Sequence, residues 1–204
     1  ETTYENMLRY TLEGVDDPER MKVYNYLRIS ILELNEEIRA LLFSKWINNH
    51  VTYMQQNLRN SSHVPVRQMV SSLRDLSFHD QLVSALKEQH GLTILPPEKK
   101  NKHNDLIRNI FRYLWLTDKY RETEMELISM TLDHKGFTWY ERSLFVSAIT
   151  LSLFRYFDPN KFRALHQYFL DNEEEVSPRS FVGLILAFYL YDKRLFLFPG
   201  IIQI

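Results

Sequence analysis

The sequence contains no cysteine. That removes disulfides, thiolate zinc sites, iron–sulfur clusters and cysteine nucleophiles from consideration, and it fits a reducing compartment. A cytoplasmic location is the expectation. Glycine is scarce, with 5 in 204 residues, and neither GxGxxG nor GxxxxGK[ST] occurs, so the common phosphate-cradling loops are missing. No sign of charge is in excess: 25 Lys and Arg face 26 Asp and Glu. A dedicated nucleic-acid binder normally carries a basic surplus. Long hydrophobic runs are missing too. Leu144 to Phe154 and Phe181 to Tyr191 are the longest apolar stretches. Both fall short of the roughly 20 residues that span a bilayer. No signal peptide is visible. The first residue is Glu1 rather than Met, which leaves open a targeting segment ahead of it.

What is present is helical periodicity. Apolar residues recur at spacings of three and four throughout. Tyr4, Met7, Leu8 and Leu12 begin the first pattern, with Gly14 as its cap. Asp17-Pro18 opens the next helix. Along it Tyr24, Leu27, Ile31, Leu34, Ile38 and Leu41 alternate spacings of three and four, the narrow stripe of a coiled-coil seam. Asn48-Asn49 is the expected break before Val51, Met54 and Leu58. Pro65 opens a short helix through Met69, Val70, Leu73 and Leu76, and Ser77 or Asp80 caps another that runs to Gly91. Residues 92–103, with Pro96-Pro97 and the polar run Glu98 to Lys102, read as a linker. The expected organisation is an N-terminal helical region 1–91, the linker, and a repeat region 104–204.

The repeat region shows self-similarity at 37 residues. Ile107, Ile110, Phe111 and Leu114 return as Leu144, Ser147, Ala148 and Leu151, then as Phe181, Leu184, Ile185 and Phe188. Arg142-Ser143 returns as Arg179-Ser180, and Asp118-Lys119 as Asp192-Lys193. Each copy predicts a helix, a tight turn containing Asp, and a second helix. The second helices carry Met125, Ile128 and Leu132, then Phe162, Leu165 and Phe169. The pattern stops in mid-unit on apolar residues, where a solenoid normally has a polar cap. The expectation is a piece of a longer protein, or another surface that covers this end.

Ser177 to Leu184, Tyr191 to Leu195 and Phe198-Pro199 resemble the repeat core of large uncharacterised bacterial proteins described as tetratricopeptide-like, with a weaker copy at Arg142 to Leu144 and Phe157-Asp158. The resemblance covers residues 104 to 204. It implies an all-α fold of stacked αα-hairpins and no activity. The period is not 34, and the small residues expected at helix contacts are mostly absent, so the likeness extends to hairpin stacking alone.

Candidate chemistry is sparse. The seven His, at 50, 63, 79, 90, 103, 134 and 166, include no pair three or four apart, and HExxH does not occur. His79-Asp80 matches the dipeptide of HD-type metal phosphohydrolases, with His50 or His63 and Asp105 or Asp133 as further ligands; the plainer reading is a helix cap. Asp133-His134 matches part of a catalytic dyad but sits at a helix end, where a His meets the dipole. Glu122, Glu124 and Glu126, and Asp171 with Glu173 to Glu175, read as solvated surface. Lys99, Lys100, Lys102, His103, Arg108 and Arg112, near Tyr113 and Trp115, form a candidate nucleic-acid patch, against which stands the balanced net charge.

The sequence therefore predicts an all-α solenoid that acts as a non-enzymatic scaffold for a protein partner. No catalytic, metal or cofactor-binding residue is assigned. The alternatives are a metal-dependent HD-type phosphohydrolase and a nucleic-acid-binding helical repeat. Self-association is expected through the Tyr24–Leu41 stripe or the apolar C-terminal end.

Overall fold

The computed structural model describes residues 2–14, 19–46, 50–60, 66, 68–75, 97–134 and 136–203. Every regular element among them is a helix, and no strand occurs among them. The chain divides into two units, Glu1–Asn48 and Asn49–Ile204.

The first unit holds α1 (Thr2–Leu12) and α2 (Arg20–Trp46). Helix α1 ends as its glycine predicts. Gly14 adopts φ +71, a left-handed conformation that costs glycine nothing, and its N–H bonds the Thr11 carbonyl at 3.3 Å. Asp17-Pro18 and Asn48-Asn49 lie outside the described residues. No apolar side chain of this unit is buried among the described residues.

The second unit holds α3 (His50–Asn60), a helix α4 over residues 68–75, α5 (Pro97–Leu116), α6 (Glu122–Asp133), α7 (Trp139–Arg155), α8 (Pro159–Leu170), α9 (Ser177–Leu195) and the single turn α10 (Pro199–Ile202). Helix starts follow local chemistry. Thr138 precedes α7, and Glu141 reaches back to accept the Thr138 N–H at 2.8 Å, half of a capping box. Asp158 caps α8 by accepting from Asn160 N at 3.1 Å, with Pro159 in the first turn. Past the end of α8, Asn172 takes φ 55, which its short polar side chain tolerates.

Helix α7 packs between α5 and α9, while α8 packs on α7 and α9 and also touches α6 and α10. One core runs through them, with Ile110, Leu114, Leu127, Ile128, Phe145, Ile149, Leu153, Phe162 and Leu165 fully buried. Each such side chain contributes about 1.5–3 kcal/mol relative to exposure.

Two expectations about organisation are corrected here. The linker over 92–103 and the boundary it marks are not where the chain divides. Residues 97–103 form the first turns of α5, with Pro97 at the first position, which needs no N–H. Val66, Met69, Val70 and Leu73 share the core with Leu106 and Ile110, so the division falls earlier, at Asn48/Asn49. Residues 92–96 lie outside the described residues.

The 37-residue offset also fails to align the buried faces of α5, α7 and α9. Leu144, Leu151, Phe181 and Ile185 are exposed. Burial instead repeats at 39 from α5 to α7: Leu106, Ile107, Ile110 and Leu114 match Phe145, Val146, Ile149 and Leu153. From α7 to α9 the offset is 38, giving Gly183, Leu184, Ala187 and Tyr191. Only α6 and α8 keep 37, with Glu124, Leu127, Ile128 and Thr131 matching Lys161, Ala164, Leu165 and Tyr168. The physical reason is that α7 and α9 are apolar on more than one face. A count of apolar residues then picks out a regular row without saying which row points inward. Asp192-Lys193 is likewise no turn. It lies in the last turns of α9, whereas Asp118-Lys119 does lie between α5 and α6.

Candidate functional site

The polar groups of the second unit gather where helices end. Tyr113, on α5, donates to Glu124 Oε1, and Glu124 Oε2 accepts the Arg121 N–H at 2.7 Å. Burial, reinforced by the Glu124 carboxylate, raises the Tyr113 hydroxyl well above its ordinary pKa of 10.0. Glu124 is buried, which corrects its reading as solvated surface; Glu122 and Glu126 are exposed.

At the matching position of α8 the buried group is Lys161. Its ammonium donates to the carbonyls of Ser152 and Tyr156, each at 3.3 Å. It also lies 5.2 Å from the Tyr120 ring centroid and 5.6 Å from that of Tyr156. Asp158 Oδ2 accepts the Tyr120 N–H at 2.6 Å. Burial raises the pKa of Asp158, against the pull of that N–H and of Lys161. Thr131 and Tyr168 share a 2.6 Å hydrogen bond in the same core. These groups are committed to backbone and to one another. Glu124, Asp158 and Lys161 brace turns.

Among the described residues, those expected to carry chemistry do not converge. His63, His79, His90 and Asp80 lie outside the described residues, and of His50 only the backbone is described. Asp105 pairs with Arg108 on an exposed face at 3.2 Å. Asp133 is exposed, while His134 is buried, capping α6 through its backbone N–H to Met130 O at 3.0 Å. No group of three metal-ligating side chains occurs among the described residues. Of the basic stretch, Lys102, Arg108 and Arg112 are exposed on α5, Arg108 pairs with Asp105, His103 bonds Glu141 at 3.0 Å, Tyr113 is buried and Trp115 packs half-buried against the core, while the side chains of Lys99 and Lys100 lie outside those described. Glu173 and Asp171 flank Arg142, at 2.8 and 3.5 Å, and Arg142 also donates to His134 O at 3.2 Å.

No family model, curated protein or solved structure matches the chain. No helix among the described residues is long and apolar enough to cross a membrane.

What the second unit does hold out is one face of α9. Phe181, Val182, Ile185, Leu186 and Tyr189 are all exposed, Tyr189 at 85%. An open groove of about 500 Å³ continues this face, lined by Phe188, Tyr189, Asp192, Leu195 and Ile202. The opposite side of α9 seats on α7. There Arg179 donates to Ser147 Oγ at 3.1 Å, and a Cβ on Gly183 would come within 2.6 Å of Thr150 Oγ1. At the offset of 38, Ser147 and Thr150 correspond to Ile185 and Phe188. The exposed face of α9 is thus the counterpart of the α7 face that α9 covers. The sequence signal for it was the run Phe181 to Tyr191, apolar on both sides of the helix.

Proposed function

We propose that the second unit is a stack of αα-hairpins, a helical-repeat scaffold that binds another polypeptide through α9. The observation that carries this reading is the equivalence between Ile185 and Phe188 on α9 and the Ser147 and Thr150 positions that α9 occupies on α7. A helix seated on α9 as α9 is seated on α7 would cover Phe181, Ile185 and Phe188, the counterparts of Ser143, Ser147 and Thr150. Stacked hairpins need only their neighbours for stability, which leaves such a face free to serve recognition. The resemblance of residues 104–204 to tetratricopeptide-like bacterial proteins supports the same reading. So does the placement of Glu124, Asp158 and Lys161, whose buried charges brace the turns.

The test is capture from a lysate of the source cell by the full chain, compared with Ile185→Arg/Tyr189→Arg. Both positions are exposed, so the variant is expected to keep the thermal midpoint of the parent. Loss of a saturable protein partner by the variant supports the reading. A partner retained at full affinity by the variant removes α9 from the interface.

A further inference from the structure

We propose that the first unit is a dimerisation element: α2 pairs in parallel and in register with α2 of a second copy of this chain. This goes beyond the α9 reading and stands on different observations. The first is the state of the stripe. Tyr24, Ile31, Leu34, Ile38 and Leu41 are all exposed, Ile31 at 65%, and Leu27 is half-exposed. The second is the lack of a core. Among its described residues the unit fully buries no apolar side chain, only Glu36, so its own packing offsets little of the entropy of ordering 27 residues as helix.

The choice of partner follows from the spacing and the residue types. The alternation of three and four persists through three heptads, and a strict 3.5-residue period fits another helix better than it fits a globular surface. Written as a heptad, Tyr24, Ile31 and Ile38 take the a positions, and Leu27, Leu34 and Leu41 the d positions. Branched Ile at a with Leu at d is the combination that favours parallel two-stranded pairing. The flanks permit it. Val23, Ser30 and Glu37 at g would meet Arg28, Asn35 and Leu42 at e of the other copy, and no like charges face each other. The area suffices as well. Six side chains on each of two copies, at on the order of 100 Å² apiece, bury about 1,200 Å², the lower end of a stable interface.

Because the chain has no cysteine, one introduced thiol reports the register without interference. Under mild oxidation, Leu34→Cys in the whole 204-residue chain is expected to run mostly as a disulfide-linked dimer. The parent at about 10 µM is expected to sediment at twice its 24.6 kDa mass. Ile31→Asp/Leu34→Asp should dissociate the dimer at least tenfold more readily while keeping the parent's near-UV circular dichroism, which separates loss of pairing from loss of fold. Ile185→Arg/Tyr189→Arg should remain dimeric, so that failure at α9 and failure at α2 read differently. A parent that stays monomeric at about 100 µM overturns the proposal. So does a dimer that survives both aspartates. Cross-linking of Tyr24→Cys to Leu41→Cys in mixed samples, in preference to Leu34→Cys with itself, would establish antiparallel pairing and overturn the parallel register.

Discussion

The ammonium of Lys161 sits over the ring of Tyr120, 5.2 Å from its centroid, with both side chains fully buried. Lys161 rises from the first turn of α8 and Tyr120 from the turn before α6, so the contact ties the α5–α6 turn to the α7–α8 turn. Asp158 reinforces it by capping α8 with one oxygen and holding the Tyr120 N–H with the other. Lys161→Met keeps the volume and removes the charge. The carbonyls of Ser152 and Tyr156 lose a donor, and the buried Asp158 carboxylate loses its opposing cation. The expected cost is about 2–4 kcal/mol, read as a lower urea midpoint at unchanged slope. An unchanged midpoint would mean that the buried charge contributes no more than a thioether in the same space.

Three buried tyrosines set an alkaline limit. Tyr113, Tyr120 and Tyr168 all have hydroxyls raised above the ordinary 10.0, with burial as the leading cause in each. A group whose folded pKa lies above its unfolded one contributes stability that is whole below the unfolded value and lost as pH rises through the folded one. Stability should therefore hold up to about pH 10 and fall steeply above it, as the unfolded chain releases protons that the folded chain retains. Ultraviolet titration should show Tyr113, Tyr120 and Tyr168 ionising only together with unfolding. Three tyrosines that ionise near pH 10 in the folded chain would contradict it.

Gly183 allows a close approach of α9 to α7. An added Cβ would meet Thr150 Oγ1 at 2.6 Å and Cγ2 at 3.4 Å. Thr150 is itself held, its hydroxyl donating to Val146 O at 2.9 Å. Gly183→Ala should therefore destabilise by about 1–3 kcal/mol, although alanine is the better helix former by about 1 kcal/mol. With Thr150→Ala the clash disappears and only the propensity gain remains, so the sign should reverse. The double-mutant cycle measures that coupling, and additivity of the two substitutions would show that the helices adjust without strain.

How far the sequence foretells these features depends on what kind of signal each one is. Helix character and the cap at Gly14 are local chemistry, and the structure places them as expected; the caps at Thr138 and Asp158-Pro159 are equally local but emerge only in the structure. The inward faces of α7 and α9 are not local. Both helices are apolar nearly all round, so the row at 37 passes through Leu144, Leu151 and Phe181, which face outward, and the buried set emerges only when the helices stack. Glu124 and Lys161 are further from reach. A charged residue in the first turn of a helix reads as solvated, and its burial depends on Tyr113 and Tyr120, contributed by neighbouring elements. The α9 face was visible as excess apolar content, but its direction was not.

Arg155 closes the far end of α7 by a similar logic of shared partners. Its guanidinium pairs with the Asp118 carboxylate and donates to Trp115 O at 3.0 Å. Gln55, on α3, reaches the same place, donating to Asp118 Oδ1 at 3.2 Å and to Leu116 O at 2.9 Å. The ends of α5 and α7 and the side of α3 are thus joined through one turn. A lysine cannot reproduce the planar fork that serves carboxylate and carbonyl together. Arg155→Lys should cost about 1–2 kcal/mol, the lower part of the range for charged hydrogen bonds because the side chain is a quarter exposed. Gln55→Leu should cost less alone. Because the two share Asp118, their combination should depart from additivity by about 0.5–1 kcal/mol. Urea melts of the four chains decide it, and strict additivity would show that Arg155 and Gln55 act on the turn independently.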